Sequence, residues 1–296
     1  MRSFNAHQWF VATVLSCVSV LCVPGCATSS DCGLTAMTWN IWHGGREDGE
    51  VVGPQRVVDV IRDSGADIVA MQETYGSGET ISDSLDFHFH PRGTNVSIHS
   101  RYPIIEDVSV FHEFKCVGAV IELPKKNLIA FYSIWLPYGG EIWAAGTRDG
   151  KTVEELLAAC DVSRSDLSVI LETITQRLGE AGHADIPIII AGDFNSMSHQ
   201  DYTKQMQPEY GYVIDWPTSH VMTDAGFRDT YREANTEVNR MRDRTWTPRF
   251  PEQQQDRIDF IYINGDDWLV ESATVVDQHP DGFPSDHAAV VVHLAN

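Results

Sequence analysis

Five short strings place acid, amide or imidazole side chains at the ends of apolar runs: TWNIWHGG with Asn40 and His43, MQET with Glu73, AGDFNS with Asp193 and Asn195, RIDFIY with Asp259, and SDHAAV with Asp286 and His287. Side chains of these types hold hard cations through oxygen and position or move protons. Each taken singly has a plainer use. A carboxylate at a strand end is most often a turn or cap residue, and Asp259, two positions from Arg257, fits a surface ion pair. The shared placement makes the set informative, so the segments that carry it decide what it can do.

Those segments alternate between strand and helix patterns. Leu34–Trp42 reads as a strand entering the polar loop HGGRED, and Pro54–Ser64 as a short amphipathic helix with Val57, Val58 and Ile61 on one face. Asp67–Glu73 is the next strand, followed by β-rich stretches at Phe87–Pro91, Val96–Ser100, Ile104–Phe114, Val117–Leu123 and Leu128–Leu136, with hairpins as the natural connections. Ser165–Leu178 is the clearest helix, with Leu167, Ile170, Leu171, Ile174 and Leu178 at helical spacing. It leads to Ile186–Ala191, an apolar run continuous enough for a strand buried on both faces. Ile258–Ile263, Leu269–Val276 and Ala288–Leu294 close the chain, and no repeat or linker divides residues 33–296.

In this order the strings resemble the endonuclease/exonuclease/phosphatase family, also called deoxyribonuclease-I-like, with SRYPI (Ser100–Ile104) and TWTP (Thr245–Pro248) as lesser matches. The resemblance implies an α/β fold: a single-domain, four-layer sandwich of two facing, mainly antiparallel sheets flanked by helices. It also implies hydrolysis of a phosphoester with Mg²⁺, or Mn²⁺ in its place. A hard cation offsets the negative charge with which phosphate repels a nucleophile. By resemblance, Glu73 is the metal ligand and Asn40 helps through its amide oxygen, while Asp286 is a further ligand or stands behind one. Asp193 orients or deprotonates the attacking water, Asn195 donates to a phosphate oxygen, and His287, held in its tautomer by Asp259, stabilises the charge that develops there. His43 is within reach of phosphate, or is a loop histidine without a role. His99, His220 and His279 read as structural or exposed.

One position departs from the pattern. Where many family members carry a histidine in a string like NTHL, this chain has Trp135. Tyr138 as a proton donor and Arg148 or Arg164 as phosphate clamps are the candidate substitutes; the plainer readings are loop packing for Tyr138 and solvated charge for the arginines. The loop PYGGEIWAAGTRDGK (Pro137–Lys151) is of the kind that sets specificity, and Trp135, Tyr138 and Trp143 form an aromatic wall or pack that loop down.

Composition adds limits. The chain has 296 residues and a formal charge of -21, which argues against the broad basic face of non-specific nucleic-acid binders. Arg2, the apolar run Trp9–Val23 and VPGC describe an export signal over residues 1–26. The run is shorter than the roughly 20 residues of a membrane-spanning helix. Either Cys26 is lipidated, anchoring the protein to a bacterial membrane, or cleavage after Ala27 releases it. A Cys116–Cys160 disulfide and two buried thiols are the alternatives for the later cysteines. The expectation is an exported, monomeric phosphodiesterase or nuclease, with long duplex nucleic acid disfavoured. The alternatives are a phospholipid or inositol-phosphate hydrolase of the same fold, or a non-catalytic surface lipoprotein that binds a phosphorylated ligand.

Overall fold

The computed structural model describes residues 33–296 together with Met1, so the rest of the expected export signal, Cys26 included, lies outside the described residues. Twelve strands are described: β1 (Leu34–Asn40), β2 (Ile68–Gln72), β3 (His88–Arg92), β4 (Val96–Ser100), β5 (Ile104–Asp107), β6 (Cys116–Glu122), β7 (Leu128–Trp135), β8 (Ile188–Asp193), β9 (Phe227–Asp229), β10 (Asp259–Asn264), β11 (Leu269–Val276) and β12 (Ala289–Ala295).

Because successive strand side chains point to opposite faces, each inner strand feeds two apolar seams. In β1, Leu34 and Ala36 join the central core while Met37 and Trp39 join an outer one; in β12, Val290 and Val292 divide from Ala289 and Val291 in the same way. In β8, Ile189 and Ala191 face the central core and Ile190 the opposite side. The central seam therefore lies between two six-stranded sheets, ordered β11-β12-β1-β2-β4-β3 and β5-β6-β7-β8-β10-β9. Helices Val52–Ser64 and Gly78–Leu85 supply Val57, Val58, Ile61 and Ile81 to one outer seam. Helices Asp161–Glu180 and Pro217–Asp224 supply Leu167, Ile170, Ile174, Leu178 and Met222 to the other. This is the four-layer sandwich that the sequence resemblance implies.

Each sheet contains one parallel pair, β1 with β2 and β7 with β8, amid antiparallel neighbours. Parallel strands need a crossover, and helices Val52–Ser64 and Asp161–Glu180 lie in those two connections. The pairing brings the carboxyl ends of β1, β2, β7 and β8 to one edge, where the site forms.

Some local expectations are corrected. The strand expected over Ile104–Phe114 stops at Asp107, and at Phe111 the backbone turns left-handed, with φ 58°. The helix expected over Ser165–Leu178 runs from Asp161 to Glu180. The short helices Gly78–Leu85, Val153–Ala158 and Pro217–Asp224 were not expected; the second is set by a Thr152/Glu155 capping box. Cys116 and Cys160 are both free and buried in separate cores, so the disulfide does not form. Burial pushes both thiols above their ordinary range.

Candidate active site

Strand register does most of the assembly. Asn40 ends β1 beside Gln72 of β2, so Glu73 follows immediately at the same edge. Asp193, the last residue of β8, is in register with Trp135 of β7 on one side and Asp259 of β10 on the other. Gly192 has to be glycine here, because a Cβ would stand 2.0 Å from the carbonyl oxygen of Ile134. Asp286 and His287 arrive just before β12, where the Ser285 hydroxyl donates to the Asn40 carbonyl at 2.7 Å and accepts from the His287 N–H at 3.0 Å.

The loop HGG then folds over Glu73. Trp42, His43, Gly44 and Gly45 all have positive φ, and a Cβ on Gly44 would meet the Ser77 hydroxyl at 2.6 Å and the Thr74 carbonyl at 2.9 Å. This winding turns the His43 backbone N–H toward Glu73 Oε2 at 3.3 Å, while the His43 ring bonds Glu47 at 2.7 Å. Glu73 itself sits at φ 56°, with its N–H donating to the side chain of Asn95.

One hydrogen-bonded network joins the polar residues. The Asn40 amide nitrogen donates to Glu73 Oε1 and to Asp193 Oδ2, both at 3.1 Å, and its oxygen accepts from the Trp42 N–H at 3.0 Å. Asn40 therefore ties two carboxylates together, and the oxygen expected to face a metal is turned to backbone. The Asn195 N–H donates to Asp193 Oδ1 at 2.9 Å, and its amide nitrogen to the Leu136 carbonyl at 2.8 Å and Asp193 Oδ2 at 3.2 Å. The amide expected to meet phosphate thus braces Asp193. Asp259 Oδ2 bonds His287 Nδ1 at 2.9 Å, leaving Nε2 3.9 Å from Asp193 Oδ2.

Burial works against the charges of Asp193, Asp286 and His287. It pushes the Asp193 carboxyl up, opposed by His287. For His287, burial favours the neutral ring, but Asp259, Asp193 and Asp286 outweigh it and raise the imidazole well above its ordinary value. The carboxylates around His287 thus favour the protonated ring, with Nδ1 held by Asp259. Burial, then Glu73, push Asp286 to about 6 against the pull of His287.

These groups open on a cleft of about 310 Å³ lined by His43, Glu73, Asp193, Asn195, Asp286 and His287 together with Trp42, Trp135, Tyr138, Trp143, Trp246 and Ile258. Trp135 stands edge-on to Phe114 and Tyr138, and Trp246 edge-on to His287. Tyr138 is 59% exposed at the rim. No lysine or arginine lines the cleft among the described residues. Arg249, over the Trp42 ring, is paired with Asp48.

Both arginine expectations are corrected. Arg148 lies outside the cleft lining, buried with Asp256 and Tyr202, because its loop folds back and carries the guanidinium inward. Arg164 is exposed on helix Asp161–Glu180 and pairs with Asp161 at 3.5 Å, since its helical position points away from the site. His99 is fully buried between the hydroxyls of Ser82 and Ser97, and burial lowers it to about 3. The lining residues that sequence reasoning missed are Trp42, Trp246 and Ile258. Their signal was membership, since Trp42 lies in TWNIWHGG, Trp246 in TWTP and Ile258 in RIDFIY.

The sequence model of the Endonuclease/Exonuclease/phosphatase family matches residues 37–287. An uncharacterized protein of Caenorhabditis elegans is 29% identical over 292 residues, covering 88% of this chain and 91% of that protein. Among solved structures, an endonuclease/exonuclease/phosphatase from Beutenbergia cavernae superposes with a TM-score of 0.61 at 17% identity, covering 89% of this chain and 71% of that one. Truncated TDP2 from Caenorhabditis elegans superposes with a TM-score of 0.59 at 15% identity, covering 89% and 98%. Both structural likenesses concern the fold.

Proposed function

This chain belongs to the endonuclease/exonuclease/phosphatase family, and from that premise we propose that it is a phosphodiesterase that works with a divalent cation. Members of the family are phosphoester hydrolases and generally depend on a divalent metal. The observation that carries the reading is the convergence of Asn40, Glu73, Asp193, Asn195, Asp259 and His287 from both sheets into one bonded network at the cleft floor.

The donor set suits a hard cation. Asp286 is buried with Oδ1 unpartnered, and Glu73 repels it across a cleft lined by no lysine or arginine among the described residues. These two carboxylates would hold Mg²⁺, which would offset the phosphate charge and polarise its oxygens. Asp193, Asp259 and His287 also bring ligand atoms within 4.8 Å of one another, but the His287–Asp259 bond already occupies that set.

The remaining chemistry falls to the chain. Asp193, fixed by Asn40 and Asn195, faces the cleft to orient a water and accept its proton. His287 points Nε2 inward to donate to a non-bridging oxygen as charge gathers there, while Asp259 holds the other nitrogen. The aromatic side of the cleft offers flat surfaces to whatever flanks the phosphate. A cleft lined by no lysine or arginine among the described residues, in a chain of charge -21, favours small or uncharged-flanked phosphodiesters over duplex DNA.

The test is hydrolysis of bis-p-nitrophenyl phosphate with added Mg²⁺, beside plasmid nicking at low and moderate salt. Turnover of the small diester with little nicking is expected. Rapid nicking that falls steeply with salt would reverse the substrate order, and no turnover of either would overturn the reading.

Export is part of the same proposal, resting on the apolar run Trp9–Val23. With Cys26 lipidated, the protein partitions into detergent with the membrane fraction and Cys26→Ser releases it or blocks processing. A mature N-terminus at Thr28 by mass spectrometry would instead establish soluble secretion.

A further inference from the structure

We propose that Arg148 is a positioning residue which, with Asp256 and Tyr202, fixes the aromatic side of the cleft and so sets how tightly the group flanking the phosphate is held. The proposal rests on the phosphodiesterase reading above. Arg148 is 5% exposed and spends its guanidinium on three partners, the Ile142 carbonyl, the Tyr202 hydroxyl and Asp256 Oδ2, each at 2.7 Å. Tyr202 completes the triad by donating to the second Asp256 oxygen at 2.6 Å.

Two loops meet at this triad. Ile142 precedes Trp143, whose carbonyl accepts from the Gln254 N–H at 2.9 Å. Asp256 exchanges both backbone hydrogen bonds with Trp246, at 2.8 and 2.7 Å, and also accepts from the Thr245 N–H. One buried ion pair therefore holds both Trp143 and Trp246, which face the cleft beside Trp135 and Tyr138. From outside, the Tyr212 hydroxyl pins the Arg148 carbonyl at 2.7 Å.

The consequence is a division of labour. None of the triad lines the cleft, so none meets the reacting phosphate. With no lysine or arginine at the walls among the described residues, the flanking group is held mainly by aromatic faces, and such faces bind best when locked in place. A lysine cannot replace the guanidinium, because a single ammonium on a flexible stem cannot match three partners in one plane.

The experiment compares two diesters with the same p-nitrophenolate leaving group, bis-p-nitrophenyl phosphate and methyl p-nitrophenyl phosphate. Tyr202→Phe, the mild variant, and Arg148→Lys should raise KM for the aromatic diester about fivefold and leave kcat, and the KM of the methyl diester, within about twofold. In a Trp143→Ala background the same substitutions should add less, because one of the two tryptophans they hold is already gone. Equal loss of kcat on both diesters, or an unchanged KM in folded variants, would overturn the proposal.

An inactive wild type would refute the phosphodiesterase reading separately. In that case acrylamide quenching of tryptophan fluorescence decides the clamp. Quenching should rise in Tyr202→Phe, and rise less when Trp143 is already Phe; unchanged quenching would refute it.

Discussion

Glu73→Ala should lose about 10³-fold of the activity on an activated phosphodiester, because a bound cation contributes several kcal/mol to the transition state and each ~1.4 kcal/mol is tenfold in rate. The residue is half-buried at the cleft and holds its side chain between the Asn40 amide and the His43 N–H. Its left-handed backbone is already borne by a residue with a Cβ, so alanine adds no new strain there. The variant should therefore melt close to the wild type while turnover disappears. EDTA should reproduce the loss in the wild type, and Mg²⁺ or Mn²⁺ should reverse it. Full activity in metal-free buffer, or a Glu73→Ala variant that keeps its rate, would refute the assignment.

His287→Ala should fall by about 10² to 10³ in kcat, the usual cost of removing one preorganised donor at developing negative charge. Asp259→Asn should also be impaired, because Asp259 touches the reaction only through His287 Nδ1. The two losses should not add when the substitutions are combined, since the orienting carboxylate has nothing to orient once the ring is gone. Steady-state kinetics on the three variants, with thermal melts to confirm folding, decide it. An Asp259→Asn variant with full kcat would show that the ring is positioned by other means, such as the Ser285 hydroxyl on its backbone.

Much of this site was legible because strand ends leave a mark in sequence. An apolar run that stops at Asn40, Glu73 or Asp193 shows where a β-strand surfaces, and the order of the strings carried the four-layer sandwich with it. The partners of long polar side chains were not legible. Arg148 and Asp256 are 108 positions apart and meet only because Pro137–Lys151 folds back over the core, which no local pattern encodes. Arg164 shows the same limit on a helix, where one residue of register decides between cleft and solvent. Asn195 and Asn40 both join the polar cluster, yet whether an amide offers oxygen or nitrogen depends on neighbours that only the fold supplies. Helix Pro217–Asp224 did leave a signal in its proline at the first turn. Its mixed polarity hid it from a search for amphipathic periodicity.

The pairing of β1 with β12 joins Thr35 to His293, the two ends of the described domain. Asn40 ends the first described strand and His287 just precedes the last, β12, so the ring proposed to donate to the substrate is placed by the strand that pairs with β1. On the proposed mechanism, a chain in which β12 has not docked has no working centre, however much of the rest of its sheet has formed. Catalytic competence is then expected only once the last described strand pairs with the first. Refolding followed by turnover would then report closure of the whole sandwich, with no partly active species along the way.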